Sequence, residues 1–518
     1  MDLTQKEMQY EQMIIESLGF EMRTSRHSSI PDAFKRTFRW VHDPPEGAPA
    51  SARLISEWLR MRDGMFWVSG KPGSGKSTFM KFLADDPVTE AMLLDWSGSK
   101  KLITASYYFW STGTAIQKSQ QGFHRALLYE TFQQCPEAIL PASKGLRPNL
   151  RGNKGPNEWS LKSLHEMLMK ATDWGASCVR FCFFIDGLDE LGDDQFELCQ
   201  FLKEVATFPS IKICVSSRPW NVFEEAFGGE PRRKLYMQDL TRNDILEYTR
   251  SHIYGHPRWP SLEAAKFHSD DLIEEIEERA SGVFLWVYLV VKMLREGLTN
   301  RDSFLDIRRR LESFPVELEV FFRQILESVE PFYHCKMSTT MQIALAAEEP
   351  LEAVAYYFHD QEYEDENFCF SVPSQLYSSA QKADFEETMK WRLTNRSRGL
   401  LEINSNSGTV TFLHRTVVDF LRTQEMSTFL SEKEPQLFNL VLSLLRLFTS
   451  TIKQTAPSHE RHHSCGAYDS DGRLQFFTSS ALRCIQELQP TMTDVTIVHH
   501  IIDDLDSGIL EFSTGNSL

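Results

Sequence analysis

The chain has no surplus of positive charge. Its 55 Lys and Arg face 72 Asp and Glu, a net charge of −17 over 518 residues. Such a chain is not drawn as a whole to nucleic acid or to an anionic membrane, although a local basic patch could still act. Long apolar runs are also missing. The longest, Val283 to Val291, falls well short of the ~20 residues a membrane span needs. The start, MDLTQKEMQYEQ, is polar and cannot be the apolar core of a secretory signal. The nine cysteines are scattered, odd in number, and never spaced C-x-x-C. Cys182 and Cys214 sit inside apolar, strand-like runs, which reads as reduced thiols of a cytosolic protein and not as a disulfide framework. The 42% hydrophobic content is enough to build full cores, and the length predicts about three or four domains.

What is present centres on residues 65–78, MFWVSGKPGSGKST. Met65 to Val68 read as a buried strand, and Phe79, Met80, Phe82 and Leu83 recur at helical spacing. Between them Gly70, Lys71, Pro72, Gly73, Ser74, Gly75, Lys76, Ser77 and Thr78 fill every fixed position of G-x-x-x-x-G-K-[ST]. Strand, glycine-rich loop and helix form the context in which that motif binds a nucleotide. Glycine allows left-handed backbone angles and close approach to a ligand. Successive N–H groups at a helix N-terminus favour an anion. Lys76 is expected to reach the β/γ-phosphates, and the Ser77 hydroxyl to ligate Mg²⁺.

Val179–Ile185 predicts a strand that runs directly into Asp186-Gly187-Leu188-Asp189-Glu190. Asp186 then emerges at the carboxyl edge of the sheet, where ligands bind in open α/β folds, and can hold the water shell of Mg²⁺. A second carboxylate close behind could orient or deprotonate an attacking water. Asp189 and Glu190 are both placed for this, and the sequence does not choose between them. Ile211–Val215 is a further strand, ending in Ser216-Ser217-Arg218-Pro219. An Arg there can reach a γ-phosphate, or simply pair with a local acid. Ile103–Trp110 and Lys234–Leu240 complete five strands that alternate with helices, the pattern of a parallel sheet.

Around this core, residues 1–25 predict one docking helix, and 26–47 a docking segment with Thr37, Phe38 and Trp40. Residues 141–158 read as a flexible basic loop. From 241 the chain turns helical, with Thr241 as an expected N-cap. Ser281-Gly282 then breaks an acidic helix before the apolar helix Val283–Leu294. Residues 359–371 read as an acidic loop. Leu393–Leu401 and Thr409–Leu413 flank a hairpin signal at 404–408, and helices followed by such a wing describe a winged helix. His459, His462, His463 and Cys465 lack standard zinc spacing and read as a solvated loop.

Taken in order, GKPGSGKST, FFIDGLDEL, CVSSRP and FLHRTVVDFL resemble the NACHT NTPases of the STAND signal-transduction class. The likeness is greatest to the fungal, NOD-like-receptor branch whose NTPase is nephrocystin-like. Thr37-Phe38-Arg39-Trp40, Phe109 to Thr114 and Asp239 to Ile245 match further motifs of that branch, and the resemblance covers residues 30–425. It implies an α/β P-loop NTPase of the additional-strand class, with the Arg-ended strand between the phosphate-loop and Asp186 strands. An all-α helical domain, a winged-helix domain and an α-helical tail would follow. The expected divisions are 1–47, 48–240, 241–312, 313–425 and 426–518. It further implies that Lys76 and Ser77 bind phosphate and Mg²⁺, and that Asp186 is the Mg²⁺ acid. Asp189 or Glu190 would be the hydrolytic carboxylate, Arg218 the γ-phosphate sensor, and His414 a contact to the β-phosphate of ADP. One departure is that Ser281-Gly282-Val283-Phe284 occupies the stretch where many relatives place a proline against the adenine.

The function this implies is a signalling switch, closed with ADP and open with ATP, with slow Mg²⁺-dependent hydrolysis and self-association when open. Its implied setting is fungal self/non-self recognition or programmed cell death. A plain NTPase coupled to mechanical work and a nucleotide-stabilised scaffold are the alternatives. ATP and GTP are not distinguished. About thirty residues precede the match, too few for an effector domain, and no ankyrin, tetratricopeptide or WD period follows residue 425. The expectation is a switch module alone.

Overall fold

A computed structural model describes residues 3–503 apart from 21–22, 36, 45–49, 62, 147–158, 176–177, 261–268, 373–376, 405–406, 455–468 and 489–497. Most of the expected basic loop, the tip of the hairpin and the cluster from His459 to Cys465 therefore lie outside the described residues. The chain divides into two units, 1–318 and 319–518.

In the first unit five strands form one parallel sheet. They are β1 (Gly64–Ser69), β2 (Lys101–Tyr108), β3 (Val179–Asp186), β4 (Ile211–Ser217) and β5 (Lys234–Tyr236). Their order is β2-β3-β4-β1-β5, so the Arg-ended strand lies between the phosphate-loop strand and the Asp186 strand. The central strands VRFCFFID and IKICVSS are nearly continuous apolar runs because both faces of a parallel sheet are covered. At the edge, β2 alternates instead: Ile103, Ala105 and Tyr107 are buried, whereas Leu102, Thr104 and Ser106 are half-buried. The two-residue period feeds two cores. Trp67, Phe183 and Ile185 join one with Phe123 and Leu127. Phe66, Val68, Phe184 and Cys214 join the other with Trp58, Phe79 and Met80.

Two strands depart from their expected bounds: β5 is shorter, and β2 is shifted two residues toward the N-terminus relative to the expected Ile103–Trp110. β5 stops at Tyr236 and becomes a 3₁₀ turn, Met237–Asp239. It pairs only with Trp67, Val68 and Ser69 of β1, after which β1 turns into the phosphate loop and offers nothing to pair with. β2 stops at Tyr108 because its last partner is Asp186, where β3 ends. Thr241 does precede a helix, Arg242–Tyr254, but its side chain caps nothing, since its own backbone is already helical.

The N-terminal residues dock as expected. Ile14 and Leu18 of the helix Leu3–Leu18 enter the first core. Arg125 donates to the carbonyls of Ser17 and Leu18, each at 3.2 Å. Phe38 and Trp40 pack on Phe79 of the helix Lys76–Asp85, with ring centroids 5.1 and 5.4 Å apart.

The second unit contains the helices His334–Ala346, Ala353–Glu362, Ser379–Ser397, Arg415–Leu421, Gln424–Ser431 and Leu440–Lys453. An antiparallel hairpin of β6 (Leu401–Ile403) and β7 (Val410–Phe412) precedes Arg415–Leu421. Residues 393–397 belong to a helix, so the first hairpin strand begins only at Leu401, the end of the expected 393–401, and runs on to Ile403. The expected acidic loop at 359–371 is overturned. His359, Asp360 and Glu362 are helical, and Phe368–Ser371 forms another short helix. Asp360 is 2% exposed and accepts bonds from Arg396 and Arg392, while Glu362 accepts one from Arg446 at 2.5 Å. These acids are paired inside the fold, where an isolated charge would be costly. No helix among the described residues is long and apolar enough to cross a membrane.

Candidate nucleotide site

β1 ends at Ser69, and the chain crosses the glycine-rich loop into the helix Lys76–Asp85. The loop needs its glycines. Gly73 and Gly75 have φ of 71° and 91°, left-handed values that strain other residues. A Cβ on Gly70 would stand 2.6 Å from Ser74 Oγ. The Lys76 ammonium curls over the loop and donates to the carbonyls of Gly70 and Lys71, at 2.8 and 3.1 Å. Burial pushes its pKa below the ordinary value, and Asp189 and Asp186 oppose that shift. Ser74 Oγ is buried without a hydrogen-bond partner among the described residues.

The carboxyl ends of β3 and β4 bring the acids to this loop. Asp186 is 1% exposed. Burial raises its pKa, against hydrogen bonds from Ser216 and Ser77. Ser216 Oγ also accepts the Gly187 N–H at 3.0 Å, so one hydroxyl ties the two strand ends together. Asp189 and Glu190 separate clearly in their surroundings. Asp189 is 5% exposed and grips Arg218 twice: Oδ1 accepts the backbone N–H at 3.0 Å, and Oδ2 lies 3.1 Å from Nε. Glu190 Oε2 accepts the Ser111 N–H at 2.9 Å, across from the end of β2. Arg218 is thus paired with an acid at the carboxyl edge of the sheet.

Contacts from outside the sheet reach the loop as well. The Leu285 N–H donates to the Gly73 carbonyl at 2.9 Å, and a Cβ on Gly73 would meet Leu285 Cβ at 2.8 Å. Lys71 Nζ donates to the Ser281 carbonyl at 3.3 Å. Gly282, with φ of 77°, lets the turn lie against Gln238, where a Cβ would come within 2.5 Å of that residue's Cβ. The Ser281–Phe284 stretch thus sits beside the phosphate loop without a proline.

The first unit gathers Gly70 to Thr78, Asp186, Asp189, Glu190 and Arg218 around one edge. His414 belongs to the second unit. It N-caps the helix Arg415–Leu421, with Nδ1 accepting the Thr416 N–H at 3.1 Å. Ser111 and Ser216 lie inside the Phe109–Thr114 and CVSSRP motifs but had no role assigned from sequence, and Gln238 and Leu285 belong to no site motif.

A buried hydroxyl without a partner among the described residues, a loop whose Gly70 and Gly73 leave no room for a Cβ, and a lysine bonded to loop carbonyls fit a nucleotide's phosphates. An all-oxygen pair, Ser77 and Asp186, fits Mg²⁺.

Sheet order and site together define a P-loop NTPase domain of the additional-strand class. Residues 51–218 match the family model described as Nephrocystin 3, N-terminal, so this segment is nephrocystin-like. Residues 328–463 match a second model, described as a domain of unknown function, DUF7791. No curated protein matches the chain. Among the solved structures that match is the Aeropyrum pernix ORC1 protein in complex with DNA. It is 13% identical, with 76% of this chain and 98% of that chain covered and a TM-score of 0.30, a likeness too low to carry any argument.

Proposed function

We propose that the chain is a nucleotide-operated signalling switch, closed with ADP and opened by exchange to ATP, in which slow hydrolysis resets the closed state. The observation that carries this reading is the hydrogen bond from Leu285 to Gly73. A phosphate that reshapes the loop must act on the helix Phe284–Thr299, whose first turn is bonded to it. A switch needs such a contact to differ between its two ligands.

In this reading the loop amides and Lys76 hold the phosphates, and Ser77 and Asp186 hold Mg²⁺. Bound there, the metal would neutralise charge on the β- and γ-phosphates. Asp189 is a positioning residue, since it fixes Arg218 where a γ-phosphate would lie. Glu190, held by the Ser111 N–H, is the carboxylate that takes the proton of the attacking water. His414, whose Nδ1 accepts the Thr416 N–H, is the residue that would contact the β-phosphate of ADP. That contact would hold the winged-helix domain closed, and its loss would expose a surface for self-association. The implied setting in fungal self/non-self recognition or programmed cell death belongs to the same proposal, as does a cytoplasmic location.

The test is the nucleotide carried by the purified protein, identified by chromatography after denaturation. Stoichiometric ADP in the wild type, none in Lys76→Ala and less in His414→Ala is the expected result. GDP would keep the mechanism and change the base. An empty wild-type protein with steady-state turnover well above about one per second would overturn the switch in favour of a plain NTPase.

A further inference from the structure

The short helix Ser25–Ser29 carries Arg26 over Trp110, just beyond the end of β2. The residues on either side of Arg26 are both anchored. Ser25 Oγ accepts from Gln117 Nε2 at 2.7 Å, in the loop that follows β2. His27 Nε2 bonds the Asp85 carboxylate at 2.8 Å, at the end of the phosphate-loop helix, and its ring lies 5.3 Å from that of Tyr108. Further along, Lys81 of the same helix donates to the Ile30 carbonyl at 2.8 Å and pairs with Asp32 at 2.8 Å. The segment is thus stapled to the helix that begins with Lys76.

Between these anchors the Arg26 guanidinium lies 5.7 Å from the ring of Trp110, just beyond the end of β2. Tyr108 is in register with Asp186, so this is the Asp186 side of the site. Arg26 Nε is buried without a hydrogen-bond partner among the described residues, and so is Ser111 Oγ, next to Trp110. Buried polar groups are rarely left unmet, and two at one edge mark a place for a polar ligand. Arg26 therefore stands at the end of β2, whose last residue pairs with Asp186.

We propose that Arg26 is a phosphate-contacting residue of the nucleotide site, carried on the N-terminal segment and engaged by the terminal phosphate of a nucleoside triphosphate. The proposal rests on the nucleotide-switch reading. It makes the N-terminal segment itself a reporter of nucleotide state, because an arginine that turns to a phosphate draws its helix with it. A guanidinium suits this role, since its planar fork matches phosphate oxygens and stays charged when partly buried.

The test is fluorescence titration of the full chain, with Mg²⁺, using the methylanthraniloyl derivatives of ADP and of the non-hydrolysable triphosphate AMPPNP. Arg26→Ala is expected to weaken the triphosphate about tenfold or more and ADP by less than about twofold. Arg26→Lys keeps the charge without the fork and should fall between. Thermal unfolding without nucleotide controls for folding, and the Lys variant serves if the Ala variant is unstable. Equal losses for both probes, or no loss for either, overturn the proposal. A fall in nucleotide-free stability with an unchanged triphosphate-to-diphosphate ratio also overturns it and makes Arg26 a counter-ion of Asp186. If the wild type binds neither probe, the switch reading itself falls, an outcome distinct from a selective loss.

Discussion

The carboxylate of Asp244 accepts the indole N–H of Trp40 at 3.1 Å. The same group accepts the backbone N–H of Phe38 at 3.2 Å, and Phe38 sits in the left-handed region with φ of 66°. Two motifs two hundred residues apart in sequence, T-F-x-W and D-L-T-x-x-D-I, are therefore two halves of one joint. Burial pushes the Asp244 carboxyl up to about 6, against the hydrogen bonds from Trp40 and Phe38. Raised in the folded state, this group binds its proton more readily there than in the unfolded chain between pH of about 4 and 6. Its contribution is present at low pH and lost as pH rises through that window. Asp244→Asn cannot ionise and should lack the loss, gaining on the wild type by up to ~3 kcal/mol between pH of about 4 and 7. Urea unfolding across that range checks it, and parallel pH curves for the two proteins would refute it.

Lys212 is fully buried in β4, with its ammonium 4.3 Å from the ring of Trp96 and bonded to the Leu59 carbonyl. Burial lowers its pKa to about 7. Here the unfolded chain holds the proton more tightly, so wild-type stability should rise as pH climbs from about 7 to 10. Lys212→Met should remove that rise. Denaturant midpoints at the two ends of the range measure it, and a rise that persists in the variant contradicts the assignment.

The division of labour between Asp189 and Glu190 separates in kinetics. Glu190→Gln should lower single-turnover hydrolysis about 10²-fold or more and leave nucleotide affinity nearly unchanged. Asp189→Asn loosens Arg218, so triphosphate affinity should fall along with hydrolysis. The reverse pattern would exchange the two roles.

Gly73 has two reasons to be glycine, its φ of 71° and the 2.8 Å approach of Leu285 Cβ to an added Cβ. Gly73→Ala should cost about 1–3 kcal/mol and weaken nucleotide binding. Adding Leu285→Gly, which removes the Cβ that the new side chain would meet, should recover the steric share but not the backbone strain. A double variant no better than the single one would mean that the approach of Leu285 is not what excludes a side chain. Thermal unfolding with and without nucleotide reads both effects.

The phosphate loop and the Asp186 strand were legible because their chemistry is contiguous: a strand, an anion-binding turn and a helix occupy fourteen successive residues, 65–78. The apolar runs of β3 and β4 identified central parallel strands for the same reason. Residues 359–371 misled because their charges look solvated when only neighbours in sequence are considered. Glu362 finds Arg446 and Asp360 finds Arg396, partners that lie 84 and 36 residues away. Strand lengths went astray likewise, since β5 stops where β1 has no more backbone to offer.

By itself, then, the sequence determined that a nucleotide phosphate site exists, which strand ends carry its acids, and that the sheet is parallel, because local spacing and periodicity encode these. Tertiary structure alone decided which acid holds Arg218, that Leu285 closes on Gly73, and that Arg26 lies over Trp110 at the end of β2. Those pairings depend on which distant segments the two cores and the strand order bring to one edge, and no local pattern records that distance.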